Sequence, residues 1–310
     1  MPLVVVAIGG NSLVKASQKG TIAEQFENAA TTMRQLADVI AGGFDIVLTH
    51  GNGPQVGNVL LRVELAMHQV YPLPLDVCDA DTVGGMGYML QQTLCNELRR
   101  REQERTVVTC VTQVRVDAAD PAFQKPTKPI GPFFTREAAE QKTARLGWKM
   151  VEDSGRGYRR VVPSPKPVDV IEIDAVRKLI AAKVIPIAVG GGGVPVVETD
   201  GMLHGVEAVI DKDLASALLG NLLGAETLLI STGVDAVQVN YGKPSARALE
   251  TVSRAELRKH LADGQFPAGS MGPKIEAALA FLDRGGRQAI ISSPERLADA
   301  LAGKTGTRVT

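Results

Sequence analysis

Three glycine-rich turns each follow a short apolar segment that is typical of a buried strand. They read A-I-G-G-N-S-L from Ala7, T-H-G-N-G-P-Q-V-G from Thr49 and V-G-G-G-G-V-P from Val189. Glycines at a helix start let backbone N–H groups point at an anion, which is how phosphate is commonly bound. The spacing of Gly51, Gly53 and Gly57 matches neither the Walker phosphate loop nor the dinucleotide turn, and no lysine follows. If these turns hold phosphate, the positive charge must come from elsewhere in the chain.

One glycine cluster alone more often reflects ordinary turn chemistry than a binding loop, because glycine is the default residue at positive φ. Three clusters at strand ends favour a binding crevice, since open α/β sheets bind ligands beyond the carboxyl ends of their strands. Asn11 and Asn52 add amides that would orient a polar substrate. Local turn hydrogen bonds explain each asparagine equally well.

The segment V-I-D-K-D-L-A-S, which begins at Val209, places Lys212 and Asp213 at a transition from strand to helix. Asp213 is a natural N-cap in one interpretation. In the other, Lys212 reaches a phosphate while Asp213 holds lysine ammonium groups through charge-assisted hydrogen bonds. The residues alone do not separate the two interpretations.

Two further segments present lysines in unusual settings. In G-S-M-G-P-K-I-E, Lys274 lies beside a helix N-terminus, where the helix dipole disfavours a cation unless an anion is bound there. In F-Q-K-P-T-K-P-I-G-P-F-F, prolines frame Lys125 and Lys128. That segment is typical either of a stiff linker or of a lid that excludes water from phosphoryl transfer.

Composition favours a small-molecule partner. Lys+Arg and Asp+Glu both number 34, so the formal net charge is zero and no basic field suggests nucleic acid. The three cysteines lack a C-x-x-C pair and the four histidines lack metal-ligand spacing, which favours a reducing compartment and no protein-ligated metal. No apolar run reaches membrane-spanning length. We therefore expect a soluble cytoplasmic protein.

Short apolar runs alternate with helix-periodic segments along the chain, which predicts an α/β fold with a mostly parallel sheet between helices. The pattern opens with a strand over 3–8, a helix over 22–40 and a strand over 45–49. It changes between Val116 and Val168, where seven prolines predict a protruding, lid-like insertion with a hairpin. A helix over 82–101 carries an apolar stripe, suited either to a dimer interface or to packing on its own sheet.

Taken together, the quoted segments and G-V-D-A-V-Q-V-N-Y-G-K-P, which begins at Gly233, resemble the amino acid kinase family. Within that family they are similar to the carbamate kinase branch, above all through the proline-framed lysine insertion. Many other branches carry a lysine just before the first glycine pair, where this chain has Ala7. The resemblance covers nearly the whole chain. It implies a single three-layer αβα domain over 1–310 with about eight central strands and a small protruding subdomain over 116–168.

The resemblance also implies phosphoryl transfer between ATP and carbamate, used to make ATP in arginine, agmatine or ureide catabolism. The carbamate and phosphoryl site would lie in the part from 1 to about 205, and the nucleotide site in the part from about 206 to 310. The implied catalytic residues are Lys128, Lys212, Asp213 and Lys274. The implied phosphate-binding residues are Gly9, Gly10, Asn11, Gly51, Asn52 and Gly53. The implied nucleotide-binding residues are Thr232, Asp235, Ala236, Val237, Tyr241 and Met271.

The implied partners are ATP or ADP, carbamate or carbamoyl phosphate, and a second copy of the chain in a homodimer. Mg²⁺ is expected to be held mainly by nucleotide phosphates and water, so no residue is assigned to it. Two alternatives stay open: another acid kinase on the same fold, and a regulatory module that binds ATP without turnover. The three lysines and Asp213 favour turnover, because such a module would not need them.

Overall fold

The computed structural model describes residues 1–9, 13–14, 18–153, 155–267 and 269–310. In these residues the helices are α1 (Ile22–Ala41), α2 (Gly53–Ala66), α3 (Leu75–Arg100), α4 (Arg136–Leu146), α5 (Ile173–Ala181), α6 (Lys212–Leu223), α7 (Arg254–Ala262), α8 (Met271–Asp283) and α9 (Leu297–Leu301). The first strands are β1 (Leu3–Ile8), β2 (Asp45–His50), β3 (Val107–Thr109), β4 (Gln113–Val116), β5 (Lys128–Phe134), β6 (Met150–Glu152), β7 (Tyr158–Val162) and β8 (Pro167–Val170). The later strands are β9 (Ile185–Ile187), β10 (Val194–Thr199), β11 (Met202–Gly205), β12 (Thr227–Ser231), β13 (Gln238–Val239), β14 (Arg247–Ala248), β15 (Thr251–Val252), β16 (Gln288–Ser292) and β17 (Thr307–Val309).

The central sheet has eight strands in the order β15-β17-β16-β12-β1-β2-β9-β3. Its pairs are parallel except for β16 with β17. This arrangement confirms the predicted mostly parallel α/β sheet. The parallel pairs bring the carboxyl ends of β1, β2, β12 and β16 to one edge, where ligands bind in sheets of this kind.

Helices cover both faces of this sheet, as the side chains of β1 illustrate. Val4, Val6 and Ile8 pack into a core cluster with α1, α3 and α9. Val5 and Ala7 point the other way, into a cluster with α6 and α8. A strand buried on both faces reads as a continuous apolar run, which is why β1 was visible in the sequence.

The insertion over 116–168 contains its own antiparallel sheet, in the order β5-β7-β6, together with α4. The predicted hairpin is formed by β6 and β7. The insertion lies against α2, where Gly57 approaches Gly131 of β5. A Cβ added at Gly57 would lie 2.7 Å from the Cα of Gly131.

Some elements differ from the sequence predictions. Helix α3 begins at Leu75, about two turns before the predicted start, because Asp76, Asp79 and Asp81 obscure the apolar periodicity of its first turns. A second sheet, in the order β11-β10-β4-β8, was not predicted, and neither was β17. The segment that begins at Gly233 forms only the two-residue strand β13.

The apolar stripe on α3 packs on the chain's own core. Its members Met86, Met89, Leu90 and Leu94 are buried against the central sheet. The stripe therefore gives no support for a dimer interface. None of the helices described combines the length and apolar character needed to cross a bilayer.

Candidate active site

A cleft of about 360 Å³ opens at the carboxyl edge of the central sheet. Gly9 and Gly53, which follow β1 and β2, line it together with Thr232 and Ser293, which follow β12 and β16. Lys212 and Lys274 contribute the cationic part of its lining. Parallel topology thus brings two of the glycine turns and two of the predicted lysines to one cavity.

Asp213 joins those two lysines. One of its oxygens, Oδ1, accepts a hydrogen bond from the Lys212 ammonium, and Oδ2 lies 3.2 Å from Lys274 Nζ. The carboxylate is almost fully buried, and the lysine side chains are only 12% and 16% exposed. Burial lowers the pKa of Lys212, Lys274 lowers it further, and Asp213 opposes both. The carboxylate therefore stabilises two cations that would otherwise repel each other in a partly dehydrated site.

The N-cap of α6 is Asp211, not Asp213. Asp211 Oδ1 accepts hydrogen bonds from the backbone N–H of Asp213 at 2.9 Å and of Leu214 at 3.4 Å. The interpretation of Asp213 as an N-cap was therefore wrong by two positions. Asp213 already has helical geometry, so its side chain is free to reach the lysines instead of the first-turn N–H groups.

Lys128 arrives at the same helix start from the insertion. Its Nζ lies 3.2 Å from Asp211 Oδ2, across 83 residues of sequence. Lys125, which shares the proline-framed loop, is exposed. The structure thus brings the three predicted catalytic lysines to two neighbouring aspartates. Lys125 remains in solvent.

Within the second glycine turn, Gly53 faces the cleft, whereas Gly51 and Asn52 form hydrogen bonds within the fold. The Gly51 N–H donates to the Ile8 carbonyl at 2.9 Å, so that amide is used within the fold. The Asn52 side chain is buried, and its Nδ2 donates to Asp79 Oδ1 and to Thr82 Oγ1, both at 2.9 Å. Gly53 is exposed at the first position of α2 and lines the cleft. The side-chain amide of Asn52 therefore supports the turn from behind, because its Nδ2 is bonded to α3.

The third glycine turn also lies behind the site. A Cβ at Gly190 would lie 2.5 Å from His50 Nε2, and a Cβ at Gly191 would lie 2.5 Å from Asn52 Nδ2. Gly192 has a positive φ and approaches the Ile210 carbonyl just before α6. These glycines let the chain pass close to the second turn and to the start of α6, which is a packing role. The sequence suggested that all three glycine turns line a binding crevice. In the structure this third turn packs behind the second turn and the start of α6.

A second cavity, of about 370 Å³, continues from the first and shares Thr232, Gly233 and Lys274 with it. Its other lining residues are Val234, Ala236, Gln238, Tyr241, Gln265, Phe266, Pro267, Gly269, Ser270 and Met271. Thr232, Ala236, Tyr241 and Met271 of the predicted nucleotide set therefore lie on its wall. Tyr241 is 71% exposed and offers an aromatic face.

The other two residues of the predicted nucleotide set lie elsewhere. Val237 is fully buried in the core, and its backbone N–H donates to Thr307 Oγ1. Asp235 accepts a hydrogen bond from Ser293 Oγ and is absent from the walls of both cavities. The sequence of the segment that begins at Gly233 does not reveal which of its residues line a cavity and which face the core.

Gly10 and Asn11, also predicted to bind phosphate, lie outside the described residues. Two acidic residues near the site were not predicted. Asp211 was visible as a possible N-cap two residues before Asp213, but nothing distinguished Asp79 from the other acids of α3. Burial raises the pKa of Asp79 to about 8, although Asn52 and Lys128 oppose this. In the part of the chain that is described, no group of three or more His, Cys, Asp or Glu side chains is arranged to hold a metal ion.

The site's sequence and fold have known counterparts. The family model described as "Amino acid kinase family" matches residues 2–293. The carbamate kinase of Pyrococcus horikoshii is 49% identical over 309 residues, which cover 99% of this chain and 98% of that protein. A carbamate kinase-like protein of Escherichia coli is also 49% identical, with 99% and 98% coverage. The structure of carbamate kinase from Giardia lamblia bound to AMP-PNP superposes with a TM-score of 0.93 at 41% identity, covering 99% of this chain and 98% of that one.

Proposed function

This chain belongs to the amino acid kinase family, and we propose that it catalyses reversible phosphoryl transfer, ATP + carbamate ⇌ ADP + carbamoyl phosphate. The observation that carries the proposal is the buried Asp213 carboxylate, which holds Lys212 and Lys274 at the junction of two connected cavities. One cavity is lined by glycine turns and suits the transferred phosphoryl group. The other has an aromatic and aliphatic wall that suits a nucleobase.

In the forward reaction a carbamate oxygen attacks the γ-phosphorus, and the bond from that phosphorus to the β,γ-bridging oxygen breaks. Carbamate is already an oxyanion, so the nucleophile needs no general base. The difficulty is instead repulsion between an anionic nucleophile and a polyanionic nucleotide. Lys212 and Lys274 neutralise charge on the moving phosphoryl group, and the backbone N–H of Gly53 at the exposed start of α2 orients its oxygens.

Lys128 completes the charge set from the insertion. Its ammonium is held by Asp211 at the start of α6, the helix that carries Lys212. The insertion acts as a lid that excludes water during transfer, since hydrolysis of ATP competes with attack by carbamate. The segment 116–168 is therefore proposed as a functional subdomain, and the part from about 206 onward as the nucleotide-binding part.

Mg²⁺ is proposed to enter with the nucleotide. Asp211 and Asp213 are both engaged by lysines, so neither carboxylate is available as a resident metal ligand. When bound, the ion would offset part of the phosphate charge and so reduce the charge that Lys128, Lys212 and Lys274 must neutralise.

A homodimer is proposed on a surface other than the predicted stripe. Three large side chains remain exposed at or near α3: Tyr71 in the segment before it, and Val77 and Tyr88 on α3 itself. Sedimentation at decreasing concentration tests the dimer, and a fully active monomer at all concentrations would exclude an obligate one. The proposed setting is the cytoplasm, where ADP would be phosphorylated during arginine, agmatine or ureide catabolism.

The activity is tested most directly in the ATP-forming direction. Purified chain, ADP, Mg²⁺ and carbamoyl phosphate should yield ATP, measured by coupling to hexokinase and glucose-6-phosphate dehydrogenase. The reverse direction should consume ATP with carbamate but not with N-acetylglutamate, aspartate or UMP. Phosphorylation of one of those alternatives, with no ATP formed from carbamoyl phosphate, would assign the chain to a different acid kinase activity.

A further inference from the structure

Asp211 uses its two carboxylate oxygens for two different tasks. Oδ1 accepts the backbone N–H groups of Asp213 and Leu214 and so caps α6. Oδ2 accepts a hydrogen bond from Lys128 of the insertion at 3.2 Å. The same side chain therefore touches the helix that carries Lys212 and the lysine that comes from the lid.

Capping alone does not account for an aspartate at this position. Asparagine and serine cap helices about as well as aspartate does, and they bring no charge. A carboxylate beside a site for ATP and carbamate repels both ligands unless a cation neutralises it. Its two side-chain neighbours of opposite charge are Lys128 at β5 and Lys212 at α6. The negative charge of Asp211 is favoured by the helix dipole at the start of α6, and it also pairs with these lysines.

The electrostatic environment agrees with that assignment. Burial raises the pKa of Asp211, but Lys128 and Lys212 outweigh burial and hold that pKa below its usual range. Asp213 follows two residues later and is committed to Lys212 and Lys274. Asp79, on α3, also interacts electrostatically with Lys128. The raised pKa of Asp79 keeps its carboxyl group largely neutral at pH 7. Asp211 is therefore the charged partner of Lys128 at neutral pH.

Backbone contacts bring the two segments together independently of the ion pair. Lys128 pairs with Val162 in the insertion sheet. One residue further on, the Pro163 carbonyl accepts a hydrogen bond from the Val209 N–H at 3.0 Å, two residues before Asp211. The base of the lid is thus fixed to the segment that leads into α6. What remains to be set is the direction of the long Lys128 side chain, and the Asp211 carboxylate sets it.

We propose that Asp211 is a positioning residue for phosphoryl transfer: its Oδ2 aims the Lys128 ammonium at the reacting groups while its Oδ1 caps α6. This inference rests on the proposed function of Lys128 in carbamoyl phosphate synthesis. An ammonium on a flexible four-carbon stem samples many rotamers in solvent. Pairing it in advance removes that search, so less free energy is lost when the lid closes on its ligands.

The test uses two substitutions that separate the tasks. Asp211→Asn keeps the shape and the capping oxygen but removes the charge, whereas Asp211→Ala removes both. We expect Asp211→Asn to lower kcat for ATP formation by about ten- to hundredfold, with the KM for ADP changed less than threefold and little change in Tm. Asp211→Ala should show the same loss in kcat and a lower Tm. Ser253→Ala, which removes the N-cap of the distant helix α7, is the matched capping control and should lower Tm without changing kcat.

A double-mutant cycle with Lys128→Ala decides whether Asp211 acts through that lysine. We expect Asp211→Asn to reduce kcat no more than about twofold further once Lys128 is absent. Multiplicative losses, or a normal kcat in Asp211→Asn, would overturn the inference while leaving the kinase activity intact. A raised kcat in Asp211→Asn would also overturn it, since Asp211 would then restrain Lys128 away from the ligands. Failure of the proposed reaction itself is distinct, because the unmodified chain would then form no ATP from carbamoyl phosphate.

Discussion

Replacing Lys274 with alanine is expected to lower kcat by two to three orders of magnitude and to leave the fold largely intact. Lys274 Nζ is fixed 3.2 Å from Asp213 Oδ2 on the wall shared by both cavities, and its side chain is 16% exposed. Removing one preorganised charge-stabilising group from such a site costs about 3–4 kcal/mol in the transition state. At about 1.4 kcal/mol for each factor of ten, this energy corresponds to roughly 140- to 700-fold.

The stability of the Lys274→Ala protein should change little because of what remains around it. Asp213 keeps its contact with Lys212, so no buried carboxylate is left without a cation. Asp213→Asn is the contrasting substitution, since it leaves two largely buried ammonium groups without their shared partner. Breaking buried ion pairs in this way destabilises proteins by about 3–5 kcal/mol. We expect Lys274→Ala to lose activity and keep its Tm. We expect Asp213→Asn to lose activity and to have a lower Tm.

The assay measures initial rates of ATP formation over a range of ADP and carbamoyl phosphate concentrations, together with thermal unfolding. Lys304→Ala is a matched control because Lys304 is 70% exposed and pairs with Asp299 at the surface. It should leave both kcat and Tm near those of the unmodified chain. A kcat within tenfold of normal in Lys274→Ala, at unchanged Tm, would refute the role of this lysine in stabilising the transferred charge.

Three further outcomes follow from the buried groups and the close contacts around the site. Burial lowers the pKa of His50 from 6.5 to about 4. Neutral His50 therefore contributes its full stabilisation above pH 6.5, and the free energy of unfolding falls by about 3 kcal/mol as the pH drops to 4. This loss is measurable as Tm against pH. Burial raises the pKa of Asp79 to about 8, so above that pH a negative charge forms near Lys128; kcat/KM should decline there, and Asp79→Asn should remove the decline. Gly57→Ala would place a methyl group 2.7 Å from the Gly131 backbone, so it should displace the insertion and lower kcat, although alanine normally favours a helix.

Each of these outcomes has its own comparison. His50→Gln should lose the steep change of Tm between pH 6.5 and 4, and an unchanged slope would assign that slope to other groups. If kcat/KM still declines at alkaline pH in Asp79→Asn, Asp79 is not the group that causes the decline. Asn58→Ala, at an exposed neighbouring position of α2, is the control for Gly57, and equal kinetics in the two variants would show that the close approach of α2 to β5 is unimportant.

The sequence was most informative where the local pattern and the tertiary packing agree. The continuous apolar runs of β1 and β2 are buried on both faces, so the predicted strands match the observed ones to within a residue. Thr21 forms a capping box with Glu24 at the start of α1, a signal that local chemistry alone provides. Lys274 was recognisable because it opposes the helix dipole, and it lines the cleft together with Lys212.

The sequence was least informative where the role of a residue depends on distant partners. Asn52 and Gly190 to Gly193 look like ligand-binding turns, yet their contacts are with α3, with His50 and with the start of α6. Val237 lies within a motif of the nucleotide site but faces the core. Asp211 was not singled out in the sequence, because its partner Lys128 lies 83 residues earlier in a different subdomain. Such contacts follow from topology, which local periodicity does not encode.

The distribution of charge explains why the site needs no Walker lysine. In a Walker loop the cation follows the glycines directly, so one short segment supplies both. Here the cations come from α6, from α8 and from the insertion, and Lys212 and Lys274 repel each other when unliganded. Asp213 and Asp211 offset that repulsion and still leave the five groups with one net positive charge. Lys128 from the insertion is one of the three cations, so the net positive charge is present only when all three segments are docked at the start of α6.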